Sequence, residues 1–129
     1  MAVGFPYATG DVLTAADMNG LVAFSINAQT GTTYTAVSAD TYQVLVTMNN
    51  ASANSFKIPT NATTAFPVGT VLTVLQLGAG ATTISAVTSG TTTVQSAGAV
   101  SASPVLAQFK SAACLKIATD SWIIVGAVA

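Results

Sequence analysis

The chain contains no histidine, no arginine and no glutamate. Its side-chain charges are Lys57, Lys110, Lys116, Asp11, Asp17, Asp40 and Asp120, which leave a net charge of -1. Without histidine there is no imidazole to serve as a base near neutral pH or as a zinc ligand. Three lysines cannot build the basic footprint of a nucleic-acid binder, so no nucleic-acid partner is expected. The single cysteine, Cys114, excludes an internal disulfide. Flanked by Ala112, Ala113 and Leu115, it reads as a small buried hydrophobe. Long apolar runs are also missing. The charge-free stretch 58–109 is broken by Pro67, Gln76 and Gly78-Ala79-Gly80, which suits strands and turns rather than a membrane span. The first seven residues carry no basic side chain and no long apolar stretch, so neither a secretory signal nor a membrane partner is expected.

What remains is a chain of 129 residues that is 51% hydrophobic, with a mean hydropathy of +0.65. Such a composition forms a core, and the length suits one domain with a short arm. A compact monomer of this mass exposes roughly 6,300 Å², or about one charge per 900 Å². Serine and threonine, 31 residues together, must supply the solvated coat. A surface this poor in charge has little electrostatic protection against association, so a symmetric oligomer is expected.

Patterning changes near residue 39. Ahead of it, Thr14 caps a short helix predicted over residues 15–23, with Asp17 three residues on as in a capping box. From Asp40 the apolar period is 2, as in Tyr42, Val44, Val46 and Met48. Strands are predicted over 42–48, 55–58, 70–77, 81–87, 91–96, 105–109, 114–118 and 122–125. Gly78-Ala79-Gly80 reads as the turn of a hairpin. About eight short strands at this spacing predict a mainly β chain, an antiparallel β-sandwich or barrel of jelly-roll or Greek-key type. No fixed repeat is visible, which argues against a parallel β-helix. Two units follow: an N-terminal arm and helix over 1–39, and a β-sandwich over 40–129.

Chemistry-bearing constellations are sparse. Gly78-Ala79-Gly80 opens like a dinucleotide fingerprint, but Thr83 stands where the third glycine belongs. Ser111 with Lys110 or Lys116 is a nominal serine–lysine pair, and Asp11 with Asp17 a nominal carboxylate pair. Chance placement in a strand and turn or cap roles account for them. No catalytic residue, metal site or cofactor is expected. Trp122, beside Ile123 and Ile124, reads as sheet packing. Phe5, Pro6 and Tyr7 lie ahead of the first capped helix, where small neighbours cannot bury them.

Three segments carry a resemblance. Gly10-Asp11-Val12-Leu13-Thr14-Ala15-Ala16-Asp17-Met18-Asn19 resembles a stretch near the start of bacteriophage tail-fibre and related virion chains. Ile58-Pro59 followed by Phe66-Pro67-Val68-Gly69-Thr70 and the Gly-Ala-Gly turn resembles a β-module that recurs in phage fibres. Residues 115–126, with Lys116, Asp120, Trp122 and Gly126, resemble that module's closing hairpin. The resemblance implies a non-enzymatic structural protein of a tailed-phage virion, made in the host cytoplasm and placed on the capsid surface or tail. It implies a trimeric capsid decoration (cement) protein that binds major capsid subunits. A tail-fibre or glycan-binding host-recognition module is the alternative. The expected partner-binding anchor is the arm, through Phe5, Pro6, Tyr7, Val12 and Leu13.

Overall fold

The structure is a computed structural model that describes residues 24–41, 43–96 and 103–128. These residues form ten strands and one short 3-10 turn, Ser38–Asp40. In chain order the strands are β1 (Ser25–Gln29), β2 (Thr33–Thr35), β3 (Val44–Met48), β4 (Asn54–Ile58), β5 (Val71–Gln76), β6 (Thr82–Ala86), β7 (Thr93–Ser96), β8 (Val105–Leu106), β9 (Ser111–Ala118) and β10 (Ser121–Gly126). They make a six-stranded sheet of order β1-β3-β5-β9-β10-β7 and a four-stranded sheet of order β2-β4-β6-β8. The expected helix over 15–23 lies outside the described residues.

The mainly β class and the two-layer arrangement agree with the sequence, but the pairing does not follow the antiparallel expectation. From β1 to β8 the chain changes sheet after every strand. Up to β6, each strand that returns after one visit to the other sheet runs in its original direction and pairs in parallel with the strand laid before it. Five pairings are parallel: β1–β3, β3–β5, β2–β4, β4–β6 and β7–β10. Only β5–β9, β9–β10 and β6–β8 are antiparallel. Greek keys and jelly rolls are antiparallel devices, and the first six strands instead lie as three stacked coils, each with one strand per sheet. The spacing explains why no repeat is visible. Ile26 pairs with Leu45, 19 residues on, while Leu45 pairs with Thr73, 28 residues on. The coils also begin ahead of Asp40, because β1 and β2 pair with β3 and β4.

Gly78-Ala79-Gly80 is a correction of the same kind. It does not close a hairpin, since β5 and β6 belong to different sheets. It carries the chain between layers while resting on the turn of the coil below. A Cβ on Gly78 would lie 2.4 Å from the Asn50 amide nitrogen, and one on Gly80 would lie 2.1 Å from the Ser52 carbonyl oxygen. Glycine is needed at both places because backbone meets backbone. The Gly80 amide donates to the Asn50 carbonyl at 3.0 Å, and the Asn50 side-chain amide donates to the Thr30 carbonyl at 2.9 Å. Three successive turns are thus tied in a stack. Gln76 braces the uppermost from within, donating to the Gly80 carbonyl at 2.6 Å and accepting from the Gly78 amide at 2.8 Å.

Between the layers lies a single core. The six-stranded sheet contributes Val46, Met48, Leu72, Val74, Cys114, Trp122 and Ile124, and the four-stranded sheet Phe56, Ile58, Ile84 and Leu106. Cys114 is buried as expected, and burial pushes its thiol up to about 12. The packing role expected for Trp122 is also found. Its ring is buried and meets Phe66 edge-on, with centroids 5.6 Å apart. Phe66 belongs to the Phe66-Pro67 turn, so the tryptophan locks that turn onto the sheet. Trp122→Ala is expected to lower unfolding free energy by about 3–5 kcal/mol, read by urea denaturation. A variant that unfolds with the native midpoint would contradict this packing role.

Candidate interaction surface

The charged and polar side chains inside the fold are occupied by structure. Asp40 is buried, and its carboxylate accepts from Asn27 Nδ2 at 2.8 Å, the Tyr34 hydroxyl at 2.6 Å and the Val37 amide at 2.9 Å. This knot ties β1, β2 and the 3-10 turn together at one end of the first coil. The Tyr34 hydroxyl is pushed up to about 12, first by burial and then by the adjoining Asp40 carboxylate.

A second knot closes the other end of the chain. Lys116 is 2% exposed and donates to Asn61 Oδ1 and the Phe66 carbonyl, both at 2.6 Å. Asp120 sits in the β9–β10 turn at φ 52°, a conformation that aspartate tolerates better than most residues. Its Oδ1 accepts from the Asn61 amide at 2.7 Å and the Thr92 hydroxyl at 3.0 Å. Asn61 therefore bridges the lysine and the aspartate, pinning the 59–70 loop to the closing hairpin. Sequence reasoning did not find this knot, although alternation through Ala112, Cys114 and Lys116 places the lysine on the core side of β9.

The structure separates the nominal serine–lysine pair. Ser111 and Lys116 occupy opposite faces of β9, with Ser111 exposed and Lys116 buried. Lys110 precedes the strand in an exposed turn. The nominal carboxylate pair Asp11 and Asp17, and the expected anchor residues Phe5, Pro6, Tyr7, Val12 and Leu13, lie outside the described residues. No cluster of three metal-ligating side chains occurs among the described residues. None of their helices is long and apolar enough to cross a membrane.

The informative geometry lies on the two outer faces, which differ in chemistry. On the four-stranded sheet the outward positions are Thr33 and Thr35 of β2, Ser55 and Lys57 of β4, Thr83 and Ser85 of β6, and Val105 of β8. Hydroxyls dominate, and Lys57 donates to Ser85 Oγ at 3.3 Å. Such a face is well solvated.

The outward face of the six-stranded sheet is apolar. One row runs Ile26, Leu45, Thr73, Ala113 and Val125 across five strands. The neighbouring row runs Val71, Leu115 and Ile123 to Gln95. A third runs Ala28, Thr47, Leu75 and Ser111. Ile117 continues the pattern along β9. Of the described charges Asp40, Lys57, Lys110, Lys116 and Asp120, none lies on this face. Ile26, Val71, Ile117 and Val125 are 59%, 48%, 45% and 52% exposed. Strands β1, β3 and β5 pair in parallel, an arrangement normally covered on both sides, and the core built by the described residues covers one.

Beside this face opens a groove of about 710 Å³ lined by Phe24, Val44, Phe66, Pro67, Val68 and Val71, among others. Val71 belongs to both surfaces, so groove and sheet face are continuous. Phe24 and Val68, at 57% and 62% exposure, form its apolar lips. The Phe66-Pro67-Val68-Gly69 turn is therefore one wall of the groove. Sequence reading recognised that turn without assigning it to a surface.

No protein-family model matches the chain, and neither a curated protein nor a solved structure does.

The Asp40 knot makes a prediction about pH. Below about pH 10 the Tyr34 phenol is protonated in both folded and unfolded chains. Between about 10 and 12 the unfolded chain ionises first, so this group's contribution to stability is lost as pH rises. Tyr34→Phe removes one of the donors to Asp40, at a cost of about 1.5–3 kcal/mol near neutral pH. The stability gap between native and variant protein, measured by urea unfolding, should hold below pH 10 and narrow above it. A gap that stays constant to pH 11.5, about the upper part of that range, would contradict the assigned knot.

Proposed function

We propose that the chain is a non-enzymatic structural protein of a tailed-phage particle, acting as a trimeric decoration protein on the capsid. The observation that carries this reading is the contrast between the two outer faces. One is clothed in hydroxyls, whereas the other is an uncharged apolar sheet with a groove at its edge. A protein whose task is burial against subunits needs such a surface. The resemblance of residues 10–19, 58–70 and 115–126 to phage virion segments supplies the setting. In this reading the arm anchors the trimer through Phe5, Pro6, Tyr7, Val12 and Leu13, and the three arms act together. Linked weak anchors make attachment steeply dependent on each one.

A tail-fibre or glycan-binding module is the second reading. The stacked coils favour it, because an architecture built from successive coils extends along one axis. Copy number separates the two. Quantitative mass spectrometry of purified particles should give a number comparable with that of the major capsid subunits. A few copies per particle would support the tail reading, and absence from particles would overturn both.

Attachment should also depend on the arm and very little on salt. Deleting residues 2–9 is expected to leave the β-sheet circular dichroism intact while abolishing co-sedimentation with particles that lack the native copy. Sodium chloride at about 0.5 M should not release the bound protein, because exposed ion pairs contribute under about 1 kcal/mol each. Undiminished co-sedimentation of the truncated chain, or release by salt alone, would contradict the anchoring scheme.

A further inference from the structure

We infer that the outward face of the six-stranded sheet is the surface through which copies of this chain associate with one another. The inference rests on the self-association in the reading above and assigns it a place. The face is large enough. Six strands about 4.8 Å apart and some five residues long, at about 3.3 Å per residue, cover roughly 24 by 17 Å in plan. That is about 400 Å² per copy before the relief of the side chains is counted. With that relief each copy covers on the order of 500 Å², so three faces closed around an axis bury on the order of 1,500 Å² in all, within the range of a specific interface.

The chemistry selects the occupant. The face carries no charge, and its polar side chains Thr47, Thr73, Ser111 and Gln95 are outnumbered by apolar ones, so a partner is recognised there chiefly by apolar shape, which another uncharged sheet face matches. Further copies supply that surface by symmetry: in a closed trimer each face turns toward the threefold axis and meets one neighbour along each of its halves, so every contact joins one half of the face to the other half of a neighbour's. Sheet faces brought together interdigitate their side chains. Ile26, Val71, Leu115, Ile117, Ile123 and Val125 are distributed across β1, β5, β9 and β10, so the apolar character spans the sheet rather than one edge. The hydroxyl-clothed face of the four-stranded sheet offers no comparable driving force, which fixes the sidedness of the contact.

The test uses the full-length chain at micromolar concentration, with its mass read by light scattering coupled to size exclusion. The native protein should run as a multiple of 12.8 kDa. Leu115→Lys with Ile123→Lys should raise the dissociation constant at least tenfold, while Ser55→Lys with Thr83→Lys on the other face should leave it unchanged. If the double variant loses its β circular dichroism, Thr73→Lys replaces it. That position is already polar and stands mid-row between Leu45 and Ala113. A native oligomer indifferent to folded variants of the six-stranded face overturns this assignment and leaves self-association standing. An oligomer that the Ser55 and Thr83 variants disrupt places the contact on the other sheet. A native monomer overturns both the assignment and the trimer.

Discussion

A strand in this chain almost never has its sequence neighbour beside it. The chain crosses to the opposite sheet after every strand from β1 to β8, and each return up to β6 lays a new strand parallel to one laid a coil earlier. The crossings must stack for the strands to stay in register, and the tightest stacking is at Gly78 and Gly80, where turn backbone rests on turn backbone. From that constraint the rest follows. Parallel stacking aligns residues of like parity in rows across each sheet. The inward rows build one core from both layers, and the outward rows build two continuous faces whose chemistry is set by strand composition alone.

The buried polar side chains serve the same architecture. A coil stack has two ends and several loops that no neighbouring coil holds. The knot of Asn27, Tyr34 and Asp40 secures the first coil, and the knot of Asn61, Lys116, Asp120 and Thr92 secures the last long loop and the closing hairpin. In each case an ionisable group is spent on satisfying backbone and side-chain partners. With so few charges in the chain, committing three of them to knots leaves the surfaces almost neutral. The sparse charge is therefore tied to the fold as well as to association.

From β3 onward strand positions were legible in the sequence, whereas strand partners were not. Strand propensity over Val71–Gln76, and short runs bounded by turn residues at Asn54–Ile58 and Thr82–Ala86, are local properties, and they mark 70–77, 55–58 and 81–87 as strands. Partner choice is non-local. Gly78-Ala79-Gly80 satisfies the chemistry of a hairpin turn equally well, and only the approach of Asn50 and Ser52 distinguishes a layer crossing from a hairpin. Strands β1 and β2 escaped notice because Ser25–Gln29 and Thr33–Thr35 are short and largely polar, as edge strands are. The apolar outer face was present in the sequence as Val71, Leu75, Leu115, Ile117, Ile123 and Val125. Their alternation with core residues leaves these strands apolar on both sides. The expected anchor, in contrast, rests on the composition of the first residues.

A protein arranged in this way presents one solvated side and one side that gains by being covered. Hydroxyl-radical footprinting of the native chain over a concentration series measures that covering directly. As concentration rises, labelling of Leu115, Ile117, Ile123 and Val125 should fall, while Val87, half exposed beyond the end of the four-stranded sheet's β6, should be labelled as before. Labelling of the four sheet residues that does not change with concentration, or that falls in step with Val87, would contradict the account.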